Sequence, residues 1–90
     1  MFRLDGKVAL VSGAGRGMGF GVAQTLARQG ATVVINDFFG DRAEAGAQAL
    51  RDEGLQAFAA TADMTDRDAI FAMVQGLLAQ HGAIDVFVHN

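Results

Sequence analysis

Short runs that are apolar on both faces alternate along this chain with longer stretches whose apolar residues recur every three or four positions. Val8-Ala-Leu-Val11 and Thr32-Val-Val-Ile35 are of the first kind, the mark of buried parallel strands. Val22, Leu26 and their neighbouring alanines, and later Ile70, Val74 and Leu77, are of the second kind, the stripe of a helix that covers a sheet. The pattern predicts strand one over Lys7–Ser12, helix one from about Met18 to Gln29, and strand two over Thr32–Asn36. Helix two follows from about Asp41 to Glu53, strand three from about Gln56 to Thr61, and strand four over Asp85–His89. Helix three ends at His81-Gly82, and Thr65 with Asp68 predicts a capping box at its start. Gly30, Gly54 and Gly82 each close a helix shortly before a strand, where a left-handed cap is expected.

Strands joined in this order by helices run parallel with right-handed crossovers. The expected architecture is a doubly wound α/β sheet, incomplete, with four strands in order 3-2-1-4 and three helices. Helices one and two are expected on one face and helix three alone on the other, with strand four left as an exposed apolar edge. The order reverses between strands one and four, which opens a crevice at their carboxyl ends. The glycine turn after strand one, Asp37, Asp63 and Asn90 all fall at that end of the sheet.

Composition narrows the reading. The 90 residues are enough for one small domain or part of a larger one. A net charge of −3, with a single lysine and scattered arginines, argues against a nucleic-acid or anionic-membrane surface. There is no cysteine, so thiol chemistry is excluded. No leader is read in the Met1-Phe2-Arg3-Leu4 opening, and no apolar run approaches the roughly 20 residues that span a bilayer. A cytoplasmic protein is expected. The histidines, His81 and His89, make no metal site: the first suits a helix C-terminus, and the second reads as a packed, hydrogen-bonded side chain.

The candidate chemistry lies in Ser12-Gly-Ala-Gly-Arg-Gly-Met-Gly19. Gly13, Gly17 and Gly19 stand between a buried strand and a helix, in the spacing G-x-x-x-G-x-G. Backbone N–H groups at a helix start, aided by the helix dipole, are donors for a diphosphate, and glycine lets it approach them. The strict G-x-G-x-x-G cannot be placed, and no Gly-Lys-Ser/Thr of a P-loop occurs. Asp37, 24 residues after Gly13, stands where a carboxylate accepts from ribose hydroxyls and repels a 2′-phosphate; a turn-forming role is the alternative. Arg16 points the other way, because a guanidinium there could pair with a 2′-phosphate. NAD is therefore expected ahead of NADP.

Leu4-Asp-Gly-Lys-Val-Ala-Leu-Val-Ser-Gly-Ala-Gly-Arg-Gly-Met-Gly19 resembles the opening of a short-chain dehydrogenase/reductase. Ile35-Asn-Asp37, Ala62-Asp-Met-Thr-Asp66 and Gly82-Ala-Ile-Asp-Val-Phe-Val-His-Asn90 resemble that family's next landmarks, in order. Ser12 stands where the family usually has threonine, and His89 where it usually has the first of two asparagines. The resemblance implies a Rossmann-type fold with Ser12, Gly13, Arg16, Gly17, Met18 and Gly19 around the diphosphate. It also implies Asp63 and the Met64 N–H on the adenine and Asn90 near the ribose; an Asx turn before Thr65 is the alternative for Asp63.

The family's proton-transfer set is a tyrosine, a lysine four residues later and a serine. Here there is no tyrosine, the serine is Ser12 and the lysine is Lys7, so no catalytic residue is assigned. The implied function is hydride transfer between a nicotinamide cofactor and a secondary alcohol or ketone in a complete, homo-oligomeric enzyme. The chain alone is expected to be inactive. A non-catalytic dinucleotide-binding module and a truncated product without activity are the alternatives.

Overall fold

The computed structural model describes residues 3–90. Met1 and Phe2, part of the opening read for a leader, lie outside the described residues. Seven elements follow one another: β1 (Val8–Val11), α1 (Gly17–Arg28), β2 (Thr32–Asp37), α2 (Gly40–Asp52), β3 (Ala57–Thr61), α3 (Arg67–His81) and β4 (Val86–Val88). They form one parallel sheet in the order β3-β2-β1-β4, as the strand–helix alternation predicts. Element boundaries differ from the sequence reading by at most one residue.

Side chains alternate across the sheet and so feed two separate cores. Ala9, Val11, Val33 and Ile35 face α1 and α2, with Leu50 as the large residue supplied by the helices. The helices present small residues: Gly19, Ala23 and Ala27 from α1, and Ala43, Gly46 and Ala47 from α2. Such faces let helix backbones settle close to the strands. Val8, Leu10 and Val34 face the other way and meet Leu77, the one fully buried residue of α3. An apolar groove of about 350 Å³ runs beside α3 between Met64, Ile70, Met73, Leu78 and Phe87. The uneven cover expected from the sequence is thus present.

The β4 edge of the sheet is thin. β4 has three residues, and Phe87 on it is 52% exposed. Its start is fixed by Asp85, whose carboxylate accepts the Val8 N–H at 2.9 Å while its own N–H donates to the Val8 carbonyl.

The start of α3 corrects the expected capping box. Asp66, not Thr65, caps this helix, accepting the N–H groups of Asp68 and Ala69. Thr65 is drawn away because both its N–H and its hydroxyl donate to Asp63 Oδ1. No helix among the described residues is long and apolar enough to cross a membrane.

Candidate functional site

The segment between β1 and α1 is built around two left-handed glycines, Gly13 at φ 60° and Gly17 at φ 69°. A side chain at either would be strained. The turn is held from both neighbouring strands. On the β2 side, the Ala14 N–H donates to the Asn36 carbonyl at 2.8 Å, and the Gly15 N–H donates to Asp37 Oδ2 at 3.1 Å. On the β4 side, Ser12 Oγ accepts the Asn90 N–H and hydrogen-bonds His89 Nδ1, both at 3.0 Å. Asn90 Nδ2 donates to the Gly13 carbonyl at 3.3 Å.

Gly19 and Gly15 make room of a different kind. A Cβ on Gly19 would come within 2.5 Å of the Gly13 carbonyl oxygen. A Cβ on Gly15 would come within 2.6 Å of Asp37 Oδ2 and 2.8 Å of Arg42 Cβ, and Gly46 of α2 lies against Gly15 in turn. Gly15 is outside the glycine set picked from the sequence. Its φ is ordinary, so no turn signal marks it; its constraint comes from α2, which is remote in the chain.

Helix α1 begins directly after this turn with no side-chain cap, its N-cap position being Arg16. The N–H groups of a first helical turn have no partners within the helix. At α1 the approach is open, because nothing lies within 4 Å of a Cβ placed on Gly17. That is the donor arrangement a diphosphate needs.

Beside the turn lies a crevice of about 190 Å³, lined by Ser12, Gly13, Asn36, Asp37, Phe38, Ala62, Met64, His89 and Asn90. It brings together Ser12, Gly13, Asp37, Met64 and Asn90 of the sequence-predicted residues. Arg16 and Gly17 border a separate shallow depression over α2. Gly19 is buried beneath the turn, and the Met18 side chain is 79% exposed, which leaves only its backbone for a ligand. Asp63 does not line the crevice. The Asx turn left open by the sequence is formed at Asp63, and the Thr65 hydrogen bonds hold its carboxyl below the usual aspartate range.

Asp37 is buried and each of its oxygens has a partner: besides Gly15, it accepts the Phe39 N–H on Oδ1 at 3.1 Å. The turn-forming role weighed for it is therefore real, and it ties the glycine turn to the start of α2. Arg42 lies 4.4 Å over the Phe39 ring, and neither it nor Arg16 has a carboxylate partner among the described residues. His89 corrects its reading in part: it is hydrogen-bonded, but it is exposed rather than packed. His81 edges the Phe58 ring at the end of α3. Among the described residues no three His, Asp or Glu side chains gather as metal ligands.

A parallel sheet in order 3-2-1-4, a glycine turn at an uncapped helix start and a crevice where the strand order reverses define a Rossmann-type nucleotide-binding fold. Residues 7–90 match the short chain dehydrogenase family, and the chain belongs to it. It is 40% identical over 90 residues to the 5-keto-D-gluconate 5-reductase of Escherichia coli (strain K12), a match that covers all of this chain and 35% of that protein. It is 38% identical over 88 residues to the 7alpha-hydroxysteroid dehydrogenase of the same strain, covering 98% of this chain and 34% of the relative. A crystal structure of hydroxysteroid dehydrogenase from Escherichia coli superposes with a TM-score of 0.95 at 37% identity, over 99% of this chain and 38% of that one. A metagenomic short-chain oxidoreductase solved in complex with NADP superposes with a TM-score of 0.88 at 37% identity, over 93% and 38% of the two chains. The chain thus spans about a third of the length of the curated relatives it matches.

Proposed function

We propose that this chain is the cofactor-binding part of a nicotinamide-dependent oxidoreductase, and that it takes an adenine dinucleotide in the crevice and across the glycine turn. The observation that carries this is the start of α1, whose backbone donors meet open space at Gly17. In this reading the N–H groups of Gly17 and Met18 face the diphosphate, with Gly19 beneath them and Arg16 above it. Ser12, Gly13 and Asn90 form the floor toward the nicotinamide side. Asp37, Asp63 and the Met64 N–H stand on the adenosine side. At 190 Å³ the crevice is smaller than the roughly 300 Å³ at which sites for drug-sized ligands begin, so it holds only part of a dinucleotide, the rest lying across the open glycine turn.

Asp37 supports NAD over NADP, since its carboxylate stands where a 2′-phosphate would approach; Arg16 and Arg42 support the opposite order. We favour NAD, and the two cofactors separate the readings. Isothermal titration of the chain with NAD, NADP and ADP should give saturable binding, with NAD tighter than NADP. No binding of any of the three refutes the dinucleotide site, and tighter NADP reverses the preference.

The complete enzyme, on this reading, moves a hydride between nicotinamide and a secondary alcohol or ketone, works as a homo-oligomer and belongs to the cytoplasm, where its cofactor is abundant. The bound cofactor supplies the hydride acceptor; the chain's own residues bind and orient it. The tyrosine–lysine pair expected for proton transfer is not among these residues, and Ser12 is engaged with His89 and Asn90. The 90-residue chain therefore shows no turnover with alcohols or ketones, and turnover above background with NAD or NADP would overturn that statement. A non-catalytic module that works by association is the second reading. The open β4 edge beside the apolar α3 groove favours it. Nucleotide-dependent assembly in analytical ultracentrifugation supports this second reading, and a nucleotide-independent monomer removes it.

A further inference from the structure

We propose that Asn36 is a positioning residue that sets the spacing between the two walls of the crevice. The proposal rests on the dinucleotide reading of that crevice. Asn36 is buried at 1% exposure on β2, beneath the crevice it lines. Its main-chain carbonyl accepts the Ala14 N–H and so holds the glycine turn. Its side-chain Nδ2 reaches the other way and donates to the carbonyls of Ala60 at 3.1 Å and Ala62 at 3.4 Å. These carbonyls lie at the end of β3 and directly before the Asp63–Thr65 turn. One residue therefore references the diphosphate wall and the adenosine wall to a single point.

The cost of this arrangement is visible. Oδ1 of Asn36 is buried without a partner. Nδ2 also donates to Met73 Sδ at 3.5 Å, so the donor end of the amide is engaged while its oxygen is not. A buried polar group is destabilising unless its hydrogen bonds are made. An apolar residue of similar shape would remove the orphaned oxygen, yet it would also release both carbonyls. The amide is explained by what its donors hold, not by packing.

Asn36→Leu and Asn36→Asp separate the two roles. Asn36→Leu is expected to keep its melting temperature near that of the parent. Its Ala62 and Thr65 amides should exchange at least tenfold faster, and its affinity for ADP should fall about tenfold. In Asn36→Asp the new carboxyl faces two carbonyl oxygens in a buried place, so its neutral form is favoured and its pKa is raised. Below that pKa the acid O–H donates to a carbonyl and preserves slow exchange and ADP binding. Both are lost as pH rises through it, read as protection against the parent at the same pH. If Asn36→Leu fails to fold, the pH profile of Asn36→Asp decides. Parent-like exchange at Ala62 and Thr65 in Asn36→Leu, or a flat profile in Asn36→Asp, overturns the proposal. If the parent itself binds no ADP, the dinucleotide reading falls, while amide exchange still tests the clamp.

Discussion

Gly15→Ala adds one methyl group where the structure has no room for it. The new Cβ would stand 2.6 Å from Asp37 Oδ2, 2.8 Å from Arg42 Cβ and 2.9 Å from the Arg42 carbonyl carbon. Two of these neighbours belong to the first turn of α2, so the clash cannot be relieved by rotating the end of a flexible side chain. Overpacking of this kind costs about 1–3 kcal/mol. Pushing Asp37 aside also weakens its bond from the Gly15 N–H, a charge-assisted type worth about 1.5–3 kcal/mol when intact. Alanine returns about 0.4–1 kcal/mol by restricting the unfolded chain. A net loss of about 2–3 kcal/mol follows. For a domain of this size that lowers the melting temperature by roughly 10–20 °C.

Gly54→Ala is the informative companion. Its φ is +82°, but nothing lies within 4 Å of the added Cβ. Only left-handed strain applies there, at about 1–2 kcal/mol. Thermal unfolding followed by circular dichroism should therefore rank Gly15→Ala below Gly54→Ala, even though Gly15 has the unstrained backbone. Should Gly15→Ala melt within a few degrees of the parent, or above Gly54→Ala, the picture of α2 pressed on the turn is wrong.

Three more perturbations probe separate parts of the molecule. Ser12→Ala removes the acceptor of the Asn90 N–H and the partner of His89, and a loss of about 1–2 kcal/mol is expected in urea unfolding; unchanged stability would show the β1–β4 clasp to be idle. Leu77→Ala removes the one fully buried anchor of α3 and should cost about 2–4 kcal/mol, with α3 amides exchanging fastest, whereas a loss below 1 kcal/mol would mean the helix is held elsewhere. Asp63 accepts from Thr65 in its charged form, so its folded pKa lies below the usual aspartate value. Its contribution is present above the unfolded pKa and is lost as pH falls through the lowered one. The Thr65 amide shift, followed by NMR through the acid range, should move with a midpoint below the usual aspartate value, and Asp63→Asn should abolish that movement; a midpoint at or above the usual value contradicts the turn.

Much of the architecture could be read from the residues because its signals are local. The apolar run of β1, the glycines after it and the glycines that end the helices all act through their own backbone or immediate neighbours. The sheet order follows from the strand–helix alternation. What escaped the reading is non-local. Gly15 matters because α2, whose sequence begins far downstream, lies on it. Asn36 looks like one more polar residue before Asp37 until β3 places two carbonyls beside it. A capping box at Thr65 puts the cap of α3 one residue early, because Thr65 and Asp66 are both good caps and the hydroxyl of Thr65 is consumed by Asp63. Asp37 could be placed at the crevice from the sequence, but not its two backbone bonds, which depend on how the turn and α2 meet.

The glycine-on-glycine contact between Gly15 and Gly46 has one more consequence. With no side chain between them, the backbones of turn and helix lie close, and bracing one is expected to brace the other. A ligand gripping the glycine turn should therefore quieten the solvent exchange of Ala47 and Leu50, buried residues of α2. Occupancy becomes legible from behind the sheet, through backbone alone.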